Sequence, residues 1–298
     1  MAALNPNMRR TLGLSVSAGQ ALRLFADLPA PLQATDLDTI DYLVIRDVIG
    51  DQAEEDYYAV LVASSAAARL ERIGLVSEVD LYRSDPYLIA RALTSLDILS
   101  GGRAGLLALG EPQGKQDVGY ANTTLDASFV AEFFEVIGKL WNSWEKGALA
   151  RRWEENLYLE RSLLREANHK GAHFAVRGSL PTPRAVQDRP VLLVTDHPLH
   201  ASVRTQAAAV VSERPPQQGR WIQRLNAASF ATGAADTGAI GQLIDVPVTI
   251  TDWRAFVLFV KGLTPGALTD ASSKPQQLGE LFGPTRVETH REQEAHHG

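Results

Sequence analysis

The chain of 298 residues contains no cysteine, which excludes disulfides, thiolate metal sites and a cysteine nucleophile. It has no apolar run approaching the ~20 residues that a helix needs to cross a bilayer. It has no Lys/Arg run interleaved with aromatics, and its formal net charge is −6, so a nucleic-acid surface is not expected. It also lacks a glycine-rich phosphate loop of the Walker or dinucleotide type and a Gly-x-Ser-x-Gly nucleophile elbow. Met8-Arg9-Arg10 followed by apolar residues has the outline of a leader peptide. Gln20 and Arg23 interrupt that stretch, however, and Thr11–Ser17 alternates as a strand does, so we read a first strand there. A cytoplasmic protein is the expectation.

What is present is a repeated alternation of strand and helix. Strands are predicted over residues 11–18, 39–48, 73–79, 104–109 and 190–195. Helices are predicted over 21–28, closed by Pro29 and Pro31, and over 57–71, 87–99 and 125–144. The segment from Arg72 to Gly105 is the most informative. It reads as a buried strand, a polar loop broken at Asp85-Pro86, an amphipathic helix, a Ser100-Gly101-Gly102-Arg103 cap and turn, and a second apolar strand. That is a βαβ unit, which implies a parallel sheet. Phe129, Phe133, Val136, Ile137, Leu140 and Trp144 recur at helical spacing and read as core contacts. Residues 145–168 read as an inserted helix. After residue 195 the pattern thins to a weak strand near 246–250 and two or three helices, among them residues 252–262. The barrel is therefore expected to be abbreviated in its second half. One domain is expected over 1–285, with a disordered tail over 286–298.

Three motifs carry a resemblance. Pro86–Arg91 reads PYLIAR and runs on to SLDILSGGRAG at Ser95–Gly105. Glu132–Glu145 reads EFFEVIGKLWNSWE. His169–Val191 reads HKGAHFAVRGSLPTPRAVQDRPV. In this order, across residues 38–195, they resemble the bacterial-luciferase-like flavin-dependent monooxygenases. The likeness is to the branch containing nitrilotriacetate monooxygenase, the pristinamycin synthase large subunit and dibenzothiophene-sulfone monooxygenase. The chain is shorter than typical members of that branch, and LGELFG (Leu278–Gly283) is similar to the family's closing segment. The resemblance implies an α/β fold of the (β/α)₈ TIM-type barrel class. It also implies reduced flavin mononucleotide (FMN) supplied by a separate reductase, and oxygen insertion into a small organic substrate at the C-terminal ends of the strands.

Carried onto this chain, the resemblance gives a pocket lined by Asp47, Asp80, Tyr82, Leu107, Thr123 and His197. Of these, Asp47 retains the family's acidic residue. Asp80-Leu81-Tyr82-Arg83 replaces a run of Ser and Thr. Leu106 to Leu109 replaces a Trp-Asn pair and a polar strand end. Thr123, Asp126 and Ala127 stand where a His and an Arg-Tyr pair are usual. Thr195-Asp196-His197-Pro198-Leu199 replaces a small Ala-Gly-Ser-type phosphate loop, with Pro198 lacking an N–H donor and Asp196 carrying the wrong charge for a phosphate. Arg46, Arg83 and Arg103 are the basic residues near enough in sequence to compensate. FMN binding is therefore expected to be weak. The rival expectation is a non-catalytic subunit that partners a catalytic homologue, as the luciferase β chain does.

Other patterns are weaker. His169 and His173 are read as part of a structural flap, and His197 with His200 as a solvated loop; no metal site is expected. A homodimer, or a heterodimer with a luciferase-like homologue, is expected through the helices at 57–71 and 87–99, whose Ala-rich faces allow close approach.

Overall fold

The computed structural model describes residues 10–27, 39–47, 57–110, 126–233, 236, 238–247, 249–250, 253–263 and 277–282. Eight parallel strands close into a barrel. They are β1 (Thr11–Ser17), β2 (Tyr42–Arg46), β3 (Gly74–Asp80), β4 (Ala104–Leu109), β9 (Val191–Thr195), β10 (Ala209–Ser212), β11 (Trp221–Asn226) and β12 (Gly241–Asp245). Around the barrel the order is β1-β2-β3-β4-β9-β10-β11-β12, with β12 pairing back to β1 through Thr11 and Gly241. Strand follows strand in sequence order, as expected of a (β/α)₈ barrel.

The two faces of each strand divide the core. Leu12, Leu14, Val16, Leu43, Ile45, Leu75, Val79, Leu106 and Ala108 face outward under the helices. Tyr42, Val44, Val76, Leu107, Val191, Leu193, Val211, Ile222 and Leu243 fill the lumen. This is the period-two alternation of a strand buried on both sides.

The helices in the first half start and stop where their sequences dictate. Ser17 and Gln20 exchange hydrogen bonds of 3.0 and 3.1 Å at the start of α1 (Ala18–Asp27). α2 spans Ala59–Ala67. Asp85 caps α3 (Pro86–Ser100) by accepting from the amides of Tyr87 and Leu88, Pro86 occupies the first turn, and Gly101 ends the helix at φ 73°. Asp126 caps α4 (Ala127–Trp141) in the same way. The βαβ unit predicted over residues 72–105 is present as β3, α3 and β4, with β3 and β4 adjacent and parallel.

Three expectations are corrected. Residues 145–168 form no inserted helix; they make an antiparallel pair, β5 (Leu149–Arg152) and β6 (Leu157–Leu159), flanked by short 3₁₀ turns. Arg151 and Asn156 adopt φ of 49° and 52°, which an α-helix does not permit, and Trp153 packs on Tyr158 across the turn at 5.4 Å. The strand expected near 246–250 is instead Gly241–Asp245, because Pro247 has no N–H to give a ladder. The barrel is also complete: β10 and β11, not read from the sequence, supply the missing strands. What is abbreviated in the second half is the helical layer. Residues 196–208 hold only a 3₁₀ turn at Pro198–His200, residues 213–220 join β10 to β11 without a helix, and α5 (Ala227–Ala231) is a single turn. α6 spans Trp253–Leu263. The tail expected to be disordered lies outside the described residues.

β7 (His169–Lys170) and β8 (Ala175–Val176) form the flap hairpin. α7 (Leu278–Phe282) plugs the N-terminal end of the barrel. The Phe282 ring meets Tyr42 edge-on at 5.2 Å. Gly74 and Gly105 make room for Leu278, since a Cβ at either would lie 2.4 or 2.9 Å from its side chain. With that end sealed, access to the lumen is from the C-terminal mouth.

Candidate functional site at the barrel mouth

Residues at the C-terminal ends of the strands form the mouth. Continuing the inward alternation upward from Val44, Val76, Ile222 and Leu243 brings Arg46, Glu78, Arg224 and Asp245 into the lumen above the apolar floor. Arg224 donates from Nε and Nη2 to the two Asp245 carboxylate oxygens, both at 2.9 Å, a bidentate pair between neighbouring strands. Its Nη1 also reaches 3.9 Å toward Glu78 Oε2 on the opposite side of the barrel. Glu78 is 5 % exposed. Burial pushes its carboxyl up to about 7, with Asp245 and Asp47 reinforcing the rise and Arg224 and Arg46 opposing it. Burial disfavours the Arg224 charge, but the bond to Asp245 and the charges of Asp245 and Glu78 outweigh it and hold the guanidinium protonated. Among the described residues, Glu78 Oε2, Arg46 Nε and Ser15 Oγ are buried without a hydrogen-bond partner.

The residues expected to line the site are dispersed. Asp47 accepts from the Ala59 amide and so holds the start of α2. Asp80 is buried and accepts from the Tyr82 amide at 2.9 Å, turning the chain out of β3. Tyr82 faces the outer layer, stacked 5.6 Å from Phe129, with its hydroxyl 3.4 Å from the Gly110 carbonyl. Burial and the charges of Asp80 and Asp126 push that hydroxyl up to about 12. Leu107 lies in the lumen beneath the mouth. Thr123 is outside the described residues. His197 caps its own turn, its Nδ1 accepting from the Leu199 amide at 3.3 Å.

That turn, Thr195 to Leu199, is where the resemblance would seat a phosphate. Its donors are already engaged. The amide of Asp196 binds the Val211 carbonyl at 3.1 Å, that of His197 binds Thr195 at 2.9 Å, and that of His200 binds His197 at 3.0 Å. Pro198 has no amide to offer. Asp196 is ion-paired with Arg204, so its charge is answered within the loop.

The compensating arginines are also accounted for. Arg103 is 3 % exposed and sits at the start of β4, at the opposite end of the barrel from the mouth. It donates to the carbonyls of Ser100 (2.7 Å), Ile73 (2.6 Å), Ala67 (3.2 Å) and Leu70. Arg83 lines an external groove of about 490 Å³ with Tyr58, Asp85, Leu88 and Arg91. Only Arg46 faces the lumen.

Glu78, Arg224 and Asp245 were not singled out from the sequence. The signal for Glu78 was a carboxylate inside LVSEVD, two residues beyond the inward-facing Val76. No group of three or more His, Cys, Asp or Glu suited to a metal occurs among the described residues.

Comparison with known proteins agrees with the fold. The chain is 33 % identical over 135 residues to N-acetyl-S-(2-succino)cysteine monooxygenase of Bacillus subtilis (strain 168), a match covering 44 % of this chain and 31 % of that protein. It is 35 % identical over 128 residues to nitrilotriacetate monooxygenase component A of Aminobacter aminovorans, covering 41 % and 28 %. These matches thus span about a third of each relative. EDTA monooxygenase from Chelativorans sp. BNC1 superposes with a TM-score of 0.66 at 14 % identity, over 92 % of this chain and 98 % of that one. Each of the three is named as a monooxygenase of a small organic compound. Residues 25–231 match the family described as luciferase-like monooxygenase, and the chain belongs to it.

Proposed function

We propose that the protein is a luciferase-like oxidoreductase of the two-component kind, taking a small organic substrate at the C-terminal mouth of its barrel and using reduced flavin delivered by a separate reductase. The observation that carries this reading is the barrel itself. It is closed by eight strands, sealed at its N-terminal end by α7, and charged at the opposite mouth. The name component A of the nitrilotriacetate relative supports a multi-component system. The same reading assigns the protein to the cytoplasm beside its reductase.

The described residues at Thr195–Leu199 do not fit the phosphate of FMN, because the amides of the turn are already engaged and Pro198 has none. Flavin is therefore expected to behave as a loosely held co-substrate, with a dissociation constant above ~100 μM, or less than ~5.5 kcal/mol. The second reading, a non-catalytic subunit beside a catalytic homologue, is favoured by that same engaged turn.

The exposed side chains of Tyr57, Tyr58 and Leu61 beside α2, and of Leu88 and Leu99 on α3, suit association through these helices with a second copy or with that homologue.

Titrating oxidised and photoreduced FMN into the purified protein tests the function. Binding in the low-micromolar range would restore a full cofactor site and show that the phosphate is held elsewhere. No binding of either form at millimolar flavin would leave the non-catalytic reading.

A further inference from the structure

The four-charge cluster at the mouth leaves three polar atoms without hydrogen-bond partners in one small region of the lumen. Ser15 pairs in register with Asp245 and Val44 on the neighbouring strands, and Arg46 and Glu78 follow the paired Ile45 and Ser77. Ser15 Oγ, Arg46 Nε and Glu78 Oε2 are all buried, and Glu78 is 5 % exposed. Buried polar atoms of this kind take their partner from water or from a bound ligand. Above them the Arg224 and Asp245 side chains are 23 % and 31 % exposed, so the cluster is reachable from solvent.

The charges specify what fits. Arg46 and Arg224 carry +2 against −1 from Asp245, and Glu78 decides the balance. Ionised, it makes the set neutral and competes for Nη1 of Arg224. Protonated, it leaves a net charge of +1, frees that N–H, and offers an O–H donor of its own. A planar monoanion with two acceptor oxygens matches two guanidinium groups and one carboxylic acid. The other charged groups facing Glu78 are Asp47, at the end of β2 and turned toward the Ala59 amide, and Asp245 on β12.

We propose that the barrel mouth captures a small organic carboxylate together with one proton, with Arg224 and Arg46 receiving the anion and Glu78 holding the proton. This deepens the functional reading above and rests on its assignment of the mouth as the substrate site. It does not require flavin.

Benzoate is a suitable probe because it is a small planar monoanion that stays ionised above pH 6. Calorimetric titration of the full chain at pH 6 and pH 8, in cationic buffers of different ionisation enthalpy, reads both affinity and proton uptake. The dissociation constant should rise about tenfold from pH 6 to pH 8, with close to one proton taken up at pH 8. Glu78→Gln should bind benzoate with a flat pH profile and no proton uptake. Arg224→Leu should lose binding at both pH values. If either variant fails to fold, the Glu78 carboxyl can be followed by carbon NMR in the wild-type protein. Its midpoint should move up when benzoate saturates the site.

Equal wild-type affinity at both pH values without proton uptake would overturn the proposal, and so would an unchanged pH slope in Glu78→Gln. Absence of benzoate binding at pH 6 would do so as well, leaving the cluster a brace across the lumen. Flavin titration of the same preparation keeps the two readings apart, because flavin binding does not bear on benzoate uptake.

Discussion

The Glu132 carboxylate on α4 lies 3.0 Å from His169 Nε2 on the flap hairpin. It also accepts from the backbone amides of Ala172 (3.0 Å), His173 (3.0 Å) and Phe174 (2.8 Å). One carboxylate therefore fastens the whole 169–176 turn to the barrel through the His169 side chain and the backbone of His173, whose ring meets Ser128 Oγ at 3.1 Å. Burial raises the Glu132 carboxyl, but the His169 bond and the amides of Phe174 and His173 outweigh it and hold the group below its ordinary range. Charge-assisted bonds of this kind contribute ~1.5–3 kcal/mol each in isolation, and they are not additive. Glu132→Ala should cost at least about 3 kcal/mol in urea unfolding and expose residues 169–178 to limited proteolysis. A variant that is stable and resistant to cleavage would show that the flap is held by other contacts.

Arg103 is the counterpart at the opposite end of the barrel. Its guanidinium satisfies the carbonyls of Ala67 and Leu70 at the end of α2, and those of Ile73 and Ser100. Each buried acceptor left unpaired costs ~1–3 kcal/mol. Arg103→Met should therefore lose at least about 3 kcal/mol. Arg103→Lys should recover only part, because an ammonium cannot reach four carbonyls in a fixed fork. Neither change should alter flavin affinity; a tenfold loss of flavin binding in a folded Arg103→Lys protein would contradict this role.

The tryptophan motif is scaffold as well. Trp144 donates to the Leu180 carbonyl at 2.8 Å and Trp141 to Ala90 at 3.2 Å, and both rings are buried. Trp144→Ala should lower stability by about 3–5 kcal/mol, read as a fall in melting temperature. If stability were unchanged while ligand binding disappeared, Trp144 would belong to the site instead.

These cases show why the first half of the barrel was legible in the sequence. Asp85, Pro86 and Gly101 punctuate α3 on both sides, the strand after it is an unbroken apolar run, and the strand before it opens on one. The second half lacks that punctuation. β10 is four residues long, β11 carries Gln223 and Arg224, and the link between them has no helix to announce a parallel crossover. The 145–168 segment read as a helix because leucine and charge dominate its composition. Its spacing at Leu157 and Leu159 is that of a strand, and Gly147 at φ 92° breaks any helix there. The site was harder still. Glu78 and Arg224 come from strands on opposite sides of the barrel, so no local pattern joins them. Asp47, Asp80 and His197 occupy strand ends as anticipated, but each is committed to capping a turn or helix.

The outward faces beside α2 and α3 carry the association prediction. Leu61 is 67 % exposed and Leu88 57 %. An association burying these two side chains is weakened by charge, whereas folding is not, because neither packs in the core. The wild-type protein should sediment as a dimer at micromolar concentration, and Leu61→Asp with Leu88→Asp should give a folded monomer. A wild-type monomer that captures no luciferase-like homologue would rule this interface out.

Glu78 also sets how stability depends on pH. In the folded chain burial in the lumen pushes its carboxyl up to about 7, while in the unfolded chain it titrates near ~4.3. Between those values the folded state keeps a proton that the unfolded state has released. Stability therefore falls as pH rises through this window and levels off above about 7, a loss on the order of 3 kcal/mol from this one group. The sign is opposite to that of a salt-bridged carboxylate with a depressed value, whose contribution is lost on acidification. Glu78→Gln keeps the volume and cannot ionise, so its stability lacks this fall. Urea unfolding of both proteins at pH 5, 6, 7 and 7.5 should show the difference between them shifting in favour of Gln with each step and then holding constant. A difference independent of pH would mean that Glu78 titrates as an ordinary carboxylate, and that Arg224 and Arg46 already hold it ionised.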